Sequence, residues 1–184
     1  MLRVICRVNA RLLFYPTLFL NIVLCRVFGL RNWYDRIDEY VILGALPRKD
    51  DVPWLKKIGV RAVLNVCEEY SGPEDAYAAA DMEQVRLPTI DYTSPSLSTV
   101  RQGVCFIEKC VSRGDLLYVH CKAGRGRSAT IVLCWLIKAK KVSLNEAMDF
   151  LLERRPHVNK RLDKRKVVGE FLAEQSYEVS SPNK

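Results

Sequence analysis

The sequence predicts an α/β domain behind a basic, apolar leader, and three observations carry that reading. From Trp33 onward, short apolar runs alternate with segments of helical period. One such run, Leu116 to His120, empties into a glycine-bearing loop that opens a helix. Residues 1–34 stand apart, with Arg3, Arg7, Arg11, Arg26 and Arg31 and no acidic side chain. The chain has 184 residues and a net charge of +8, most of it in that leader. The body is near charge balance, so the basic pI does not imply a nucleic-acid-binding domain and no nucleic-acid partner is expected.

Composition removes several classes. At 49% hydrophobic and 27% charged, the chain is globular in character, which excludes collagen-like, low-complexity and wholly disordered proteins. Its length suits one core. A polytopic membrane protein is excluded, because no uninterrupted apolar run of about 20 residues occurs. Seven cysteines, an odd and sparse set, argue against a secreted disulfide scaffold and for a reducing compartment.

The leader, residues 1–31, has the composition of a mitochondrial targeting segment. Its apolar stretch from Leu12 to Cys25 lies between Arg11 and Arg26 and contains Pro16 and Asn21. As a helix it would span roughly 21 Å, against roughly 30 Å of hydrocarbon, so membrane association is expected rather than a simple crossing. A secretory signal is the rival reading, weakened by Arg26, Arg31 and the lack of a small-residue cleavage pair. An ordinary core helix is the third.

In the body, Val41–Leu46, Ala62–Val66, Gln84–Leu87 and Leu116–His120 read as strands. Leu97, Val100, Val104, Ile107 and Val111 mark a helix that stops at Gly114. Another is predicted from Ser128 to Lys140. The next begins at Ser143, with Glu146 completing a capping box, and ends before Pro156. A last basic helix is predicted over Leu162–Gln175. Residues 32–178 form the expected domain, and 179–184 a frayed tail.

The informative stretch is His120-Cys121-Lys122-Ala123-Gly124-Arg125-Gly126-Arg127-Ser128. A loop between a strand and a helix turns backbone N–H groups inward and adds the positive end of the helix dipole. Gly124 and Gly126 permit close backbone approach. The predicted product is a phosphate cradle. Within it, the dipole and Arg127 would depress the Cys121 thiol and supply a nucleophilic thiolate. The guanidinium of Arg127 would grip two phosphate oxygens. Cys67, Cys105, Cys110 and Cys134 read instead as small buried hydrophobes. With two histidines and no CxxC pair, no metal site is expected.

These residues resemble the signature loop of the cysteine-dependent protein tyrosine and dual-specificity phosphatases. The resemblance implies a dual-specificity phosphatase-like fold, a mostly parallel central sheet flanked by helices, and a phosphocysteine intermediate without cofactor. It makes Cys121 the nucleophile, gives phosphoryl binding to Arg127 and to the loop Lys122, Ala123, Gly124, Arg125 and Gly126, and has Ser128 assist thiolate departure. His120 would support the loop rather than act as base. It also calls for an aspartate about 30 residues before the cysteine. Asp91 lies there, just past a strand, and Asp81 is the weaker candidate. Gly126 departs from the serine that many members carry.

Further blocks narrow the resemblance. Arg11–Leu18, Trp33–Asp38, Leu43-Gly44-Ala45-Leu46-Pro47, Asn65 and Glu68-Glu69-Tyr70 look like the mitochondrial branch that dephosphorylates phosphatidylglycerophosphate on the route to cardiolipin. This implies an anionic phospholipid substrate, a monomer, and a place on the inner mitochondrial membrane facing the matrix. The basic run Arg154, Arg155, Lys160, Arg161, Lys164, Arg165 and Lys166 would meet the bilayer or simply form a solvated face. Glu68 and Glu69 either position Arg127 or the substrate, or are an ordinary polar loop. A protein or phosphoinositide phosphatase is the alternative. A catalytically dead phosphate-binding adaptor is disfavoured, because Cys121, Arg127 and Asp91 are all present.

Overall fold

A computed structural model describes residues 2–180. Its sheet has five strands: β1 (Tyr34–Arg36), β2 (Val41–Gly44), β3 (Val60–Cys67), β4 (Glu83–Thr89) and β5 (Leu116–His120). Their order is β1-β2-β5-β3-β4, and only the β1–β2 pair is antiparallel. Alternating side chains feed two cores. Val41, Leu43, Ala62, Leu64, Leu117 and Val119 face one, while Ile42, Val63, Leu116 and Tyr118 face the other. All five residues of β5 are buried, because a central parallel strand is covered on both sides.

The larger core is closed by α4 (Leu97–Ser112), α5 (Arg127–Lys140), α6 (Leu144–Arg154) and α7 (Lys166–Ser180). The smaller is closed by α2 (Val52–Lys57) and α3 (Glu74–Ala79). Start signals in the sequence act locally. The Ser96 hydroxyl accepts the Thr99 N–H at 3.1 Å, and Ser143 and Glu146 form the capping box that opens α6. Every α5 residue from Arg127 to Ile137 is buried, so α5 is the central post of the helical layer.

Some boundaries differ from expectation. The strand expected over Val41–Leu46 stops at Gly44, where Ala45 and Leu46 turn their N–H groups to the carbonyls of Trp33 and Lys122. The helix expected from Leu162 begins at Lys166, because Leu162 is buried in the core and lies in tight turns around Asn159–Arg165. The short elements β1, α2 and α3 were not anticipated, being too brief to show a hydrophobic period. α7 runs to Ser180, and the rest of the expected tail, residues 181–184, lies outside the described residues.

The leader is a helix, α1 (Leu2–Ile22), continued by a π-helical turn over Val23–Val27. Pro16 and Asn21 do not break it. The Thr17 hydroxyl donates to the carbonyls of Leu13 and Phe14, in the turn that Pro16 deprives of an N–H. The helical run therefore offers an 18-residue window, Ala10–Val27, with Arg11 and Arg26 near its two ends, long and apolar enough by length and composition to cross a membrane. Ala10, Phe14 and Asn21 are buried against the body, while Leu12, Leu13, Tyr15, Phe19 and Leu20 are exposed. Arg7 pairs with Glu68, and Arg26 pairs with Asp51 at 2.7 Å while lying over the Trp33 ring at 4.5 Å.

Candidate active site

Parallel strands present their carboxyl ends at one edge of the sheet. β3 ends at Cys67 and continues into Glu68-Glu69, β4 ends at Thr89 just before Asp91, and β5 ends at His120 just before Cys121. Residues far apart in sequence thus meet at one cavity of about 780 Å³. Cys121, Lys122, Arg127 and Asp91 line it on the sheet side. Thr17, Leu20, Asn21 and Leu24 of the leader line it on the other.

The loop has the form its residues require. Gly124 has φ +64°, and a Cβ there would fall 2.3 Å from the Gly44 carbonyl oxygen, so only glycine fits. Gly126 has an ordinary negative φ, and a Cβ there would approach the tip of Arg165 at 3.2 Å. Its smallness makes room for Arg165 rather than loosening the loop. The Ser128 hydroxyl donates to the Cys121 sulfur at 3.2 Å. Burial alone would raise the Cys121 thiol, but the Arg127 charge, the Ser128 hydroxyl and the N–H groups of Ser128 and Ala123 bring it down to about 7. A thiolate is therefore abundant at neutral pH.

Arg127 is 2% exposed and tightly held. Its Nη1 donates to Glu69 Oε2 at 2.7 Å and to the Thr89 carbonyl at 2.6 Å, and its Nη2 lies 3.0 Å from Asp91 Oδ1. That Nη2 makes no well-aligned hydrogen bond, which leaves it available to an oxyanion. Glu69 also accepts the Asp91 N–H at 2.6 Å, so one carboxylate fixes both the arginine and the loop that carries the aspartate. His120 is fully buried, and burial pushes its pKa down to about 3, so the ring stays neutral beside the Cys121 carbonyl at 3.4 Å.

The structure separates residues that sequence reasoning had grouped. Glu69 belongs to the site, whereas Glu68 docks the leader through Arg7. Lys122, expected to bind phosphate, is 6% exposed, and its ammonium is bonded to Asp91 and, at 2.8 Å, to Thr17 of the leader. Asp81 lies at the turn before β4, away from the cavity. The basic run after α6 is not one membrane-facing surface. Arg155 is wholly buried, Lys164 and Lys166 pair with Asp163 and Glu170, and Arg165 donates to Thr130 Oγ1 at 2.9 Å. Thr17, Asn21, Thr89 and Arg155 were missed as site residues. Charge pattern cannot single out Arg155 from its neighbours, and a carbonyl such as that of Thr89 leaves no sequence signal. Among the described residues no cluster of three His, Cys, Asp or Glu side chains is placed to hold a metal.

A thiolate in a phosphate cradle, with a buried arginine and an aspartate at its rim on the edge of a parallel sheet, defines a cysteine-dependent phosphatase. The sequence of residues 41–171 matches the catalytic domain of dual specificity phosphatases, and the chain belongs to that family. It is 43% identical over 177 residues to the phosphatidylglycerophosphate phosphatase PTPMT2 of Arabidopsis thaliana, covering 95% of this chain and 78% of the relative. It is 41% identical over 174 residues to the mouse phosphatidylglycerophosphatase and protein-tyrosine phosphatase 1, covering 90% of each. Among solved structures, PTPMT1 in complex with PI(5)P superposes with a TM-score of 0.72 at 37% identity, over 80% of this chain and 99% of that one.

Proposed function

We propose that the protein is a phosphatidylglycerophosphate phosphatase that hydrolyses the terminal phosphomonoester of the lipid to give phosphatidylglycerol for cardiolipin synthesis. The observation that carries this is the reach of the similarity to PTPMT2. It extends over 95% of the chain and so takes in the leader, the segment that walls the catalytic cavity. A second reading, a phosphoinositide or phosphotyrosyl substrate, is favoured by the PI(5)P complex of PTPMT1 and by the name of the mouse relative.

The chain's own residues perform the reaction in two steps. The Cys121 thiolate attacks phosphorus, the bond to the glycerol oxygen breaks, and Asp91 gives that oxygen its proton. Arg127 and the loop N–H groups hold the equatorial oxygens as charge spreads onto them. Asp91 then takes a proton from water, whose oxygen attacks the phosphocysteine, and the Ser128 hydroxyl stabilises the departing thiolate. Without substrate, Asp91 is contacted by both Lys122 and Arg127. Those two cations are also the phosphate ligands, so an arriving phosphate competes for them and releases the aspartate for proton transfer.

The leader targets mitochondria and holds the enzyme, a monomer, on the matrix side of the inner membrane. Its basic, acid-free composition and exposed apolar face support this. The test of substrate is catalytic efficiency on phosphatidylglycerophosphate in anionic vesicles beside a phosphotyrosyl peptide. The lipid is expected to exceed the peptide by orders of magnitude, with a rate that falls as salt rises. Comparable efficiency would transfer the assignment to protein substrates. For location, residues 1–31 fused to a fluorescent protein should reach mitochondria, and arrival in the secretory pathway would overturn that part.

A further inference from the structure

Among the described residues, two arginines at the rim of the cavity have no carboxylate partner. Arg31, in the connector after the leader helix, and Arg125, in the signature loop, both line the cavity. After burial, the charge of Arg31 is the largest influence lowering the pKa of Arg125, so the two guanidiniums sit within each other's field. The carboxylates around them are already engaged. Asp91 is held by Lys122 and Arg127, Glu69 by Arg127, and Asp35 by Arg155. Arg125 spends its Nε on the His157 carbonyl at 2.8 Å, and the remaining N–H groups of its fork make no hydrogen bond among the described residues. Two like charges converging on a cavity whose carboxylates are already paired leave a place for an anion.

Asn21 supplies a second, independent indication. It is 7% exposed, lines the same cavity from α1, and among the described residues its Nδ2 has no hydrogen-bond partner. Its Oδ1 accepts from the Cys25 thiol at 3.6 Å, which turns the amide so that the donor side is the one left over. A buried donor without a partner is unfavourable, and a ligand oxygen would satisfy it.

We infer that Arg31, Arg125 and Asn21 form a second anion subsite, which takes the diester phosphate of the lipid while the Cys121–Arg127 cradle takes the terminal one. This inference rests on the lipid reading above and sharpens it. Phosphatidylglycerophosphate carries its two phosphates on either end of one three-carbon glycerol, and the diester keeps one negative charge on two non-bridging oxygens, a match for an arginine fork. Leu20 and Leu24 lie beside Asn21 on the same cavity wall, and Leu20 is 55% exposed at the rim. Past the diester, the acyl chains would leave along that apolar wall toward the bilayer. The leader thus contributes specificity, not only location.

The test compares two lipids that differ in the second phosphate. Full-length enzyme is assayed in neutral detergent micelles on phosphatidylglycerophosphate and on phosphatidic acid, a monoester lipid without the diester. The readout is the ratio of the two kcat/KM values. The unaltered enzyme should favour phosphatidylglycerophosphate. Arg31→Gln should lower the ratio about 10- to 100-fold and Asn21→Leu about 3- to 10-fold, the range for losing a hydrogen bond to a charged or neutral donor. Arg31→Lys, which keeps the charge and loses the fork, should fall between, and thermal melting verifies that each variant is folded. If the unaltered enzyme favours phosphatidylglycerophosphate but the variants leave the ratio unchanged, or depress both lipids equally, the subsite assignment is overturned and the lipid reading survives. If the unaltered enzyme shows no preference, the lipid reading itself fails and the subsite with it.

Discussion

The inner and outer faces of the phosphate loop solve opposite problems with the same kind of residue. A loop that turns its N–H groups inward to meet an anion must turn its carbonyls outward into the protein, where each needs a donor. On the inner face, Arg127 lines the cavity with Cys121 and its charge acts on that sulfur. On the outer face, Arg155 donates from Nε to the Gly124 carbonyl at 2.9 Å and from Nη2 to the Ala123 carbonyl at 3.1 Å, while Nη1 pairs with Asp35. The neighbours complete the set. The Lys122 carbonyl accepts from Leu46 N–H at 3.3 Å, that of Arg125 from Asn159 N–H at 2.9 Å, and that of Gly126 from both groups of Thr130 at 2.9–3.0 Å. In the proposed mechanism one buried arginine works on substrate, while the other holds backbone. The lesson is that the cradle's shape is held from behind, by residues that touch no substrate.

The comparison predicts that inner-face changes remove activity while outer-face changes remove stability. Cys121→Ser should lose essentially all turnover with a melting temperature near that of the unaltered protein, because a serine hydroxyl does not ionise at neutral pH. Substantial residual activity in a clean preparation would end the covalent mechanism. Next in size, Asp91→Asn should cut turnover about 100- to 10,000-fold on alkyl phosphates and less on aryl phosphates with good leaving groups. Equal losses on both would show that Asp91 is not the acid.

Arg155→Leu tests the outer face. It strands Asp35 and two loop carbonyls in a buried site, and should destabilise the fold by about 3–5 kcal/mol, read as the shift in the urea midpoint. A midpoint change within error would show that the carbonyls find other donors. A smaller effect concerns pH. The rate of Cys121 alkylation by iodoacetamide should rise about tenfold per unit below pH 7 and level off above it, because the thiol is held at about 7. A midpoint near the ordinary thiol value would mean that Arg127 and Ser128 do not reach the sulfur in solution. The smallest change expected is Gly126→Ser, with roughly 1 kcal/mol or less in stability. The flexible tip of Arg165 can yield to the new Cβ, and the φ suits any residue. A large loss there would mean that Arg165 cannot move.

The long, strongly patterned elements were legible. β5 was read to the residue, and α4, α5 and α6 within a residue of their ends, because caps, glycine stops and apolar period act over a single turn or strand. Strand partners were not legible. Neither was the division of labour between Glu68 and Glu69, two identical adjacent side chains that the bend after β3 sends to different neighbours. Pro16 and Asn21 read as interruptions because local propensity counts against them, yet packing of Phe14 and Ala10 against the body and a hydroxyl at Thr17 keep the helix whole.

What the sequence by itself determined is the chemistry of the loop. Cysteine, two glycines, arginine and serine at those spacings, between an apolar strand and a helix, admit few other uses, because the groups that make an anion cradle all come from one short stretch of chain. Only the tertiary structure decided what stands behind the loop and what closes over it. The Arg155 clamp, the Glu69 tie to Asp91 and the wall made by the leader join residues from distant parts of the chain. Such contacts depend on sheet order and helix packing, which no local period encodes.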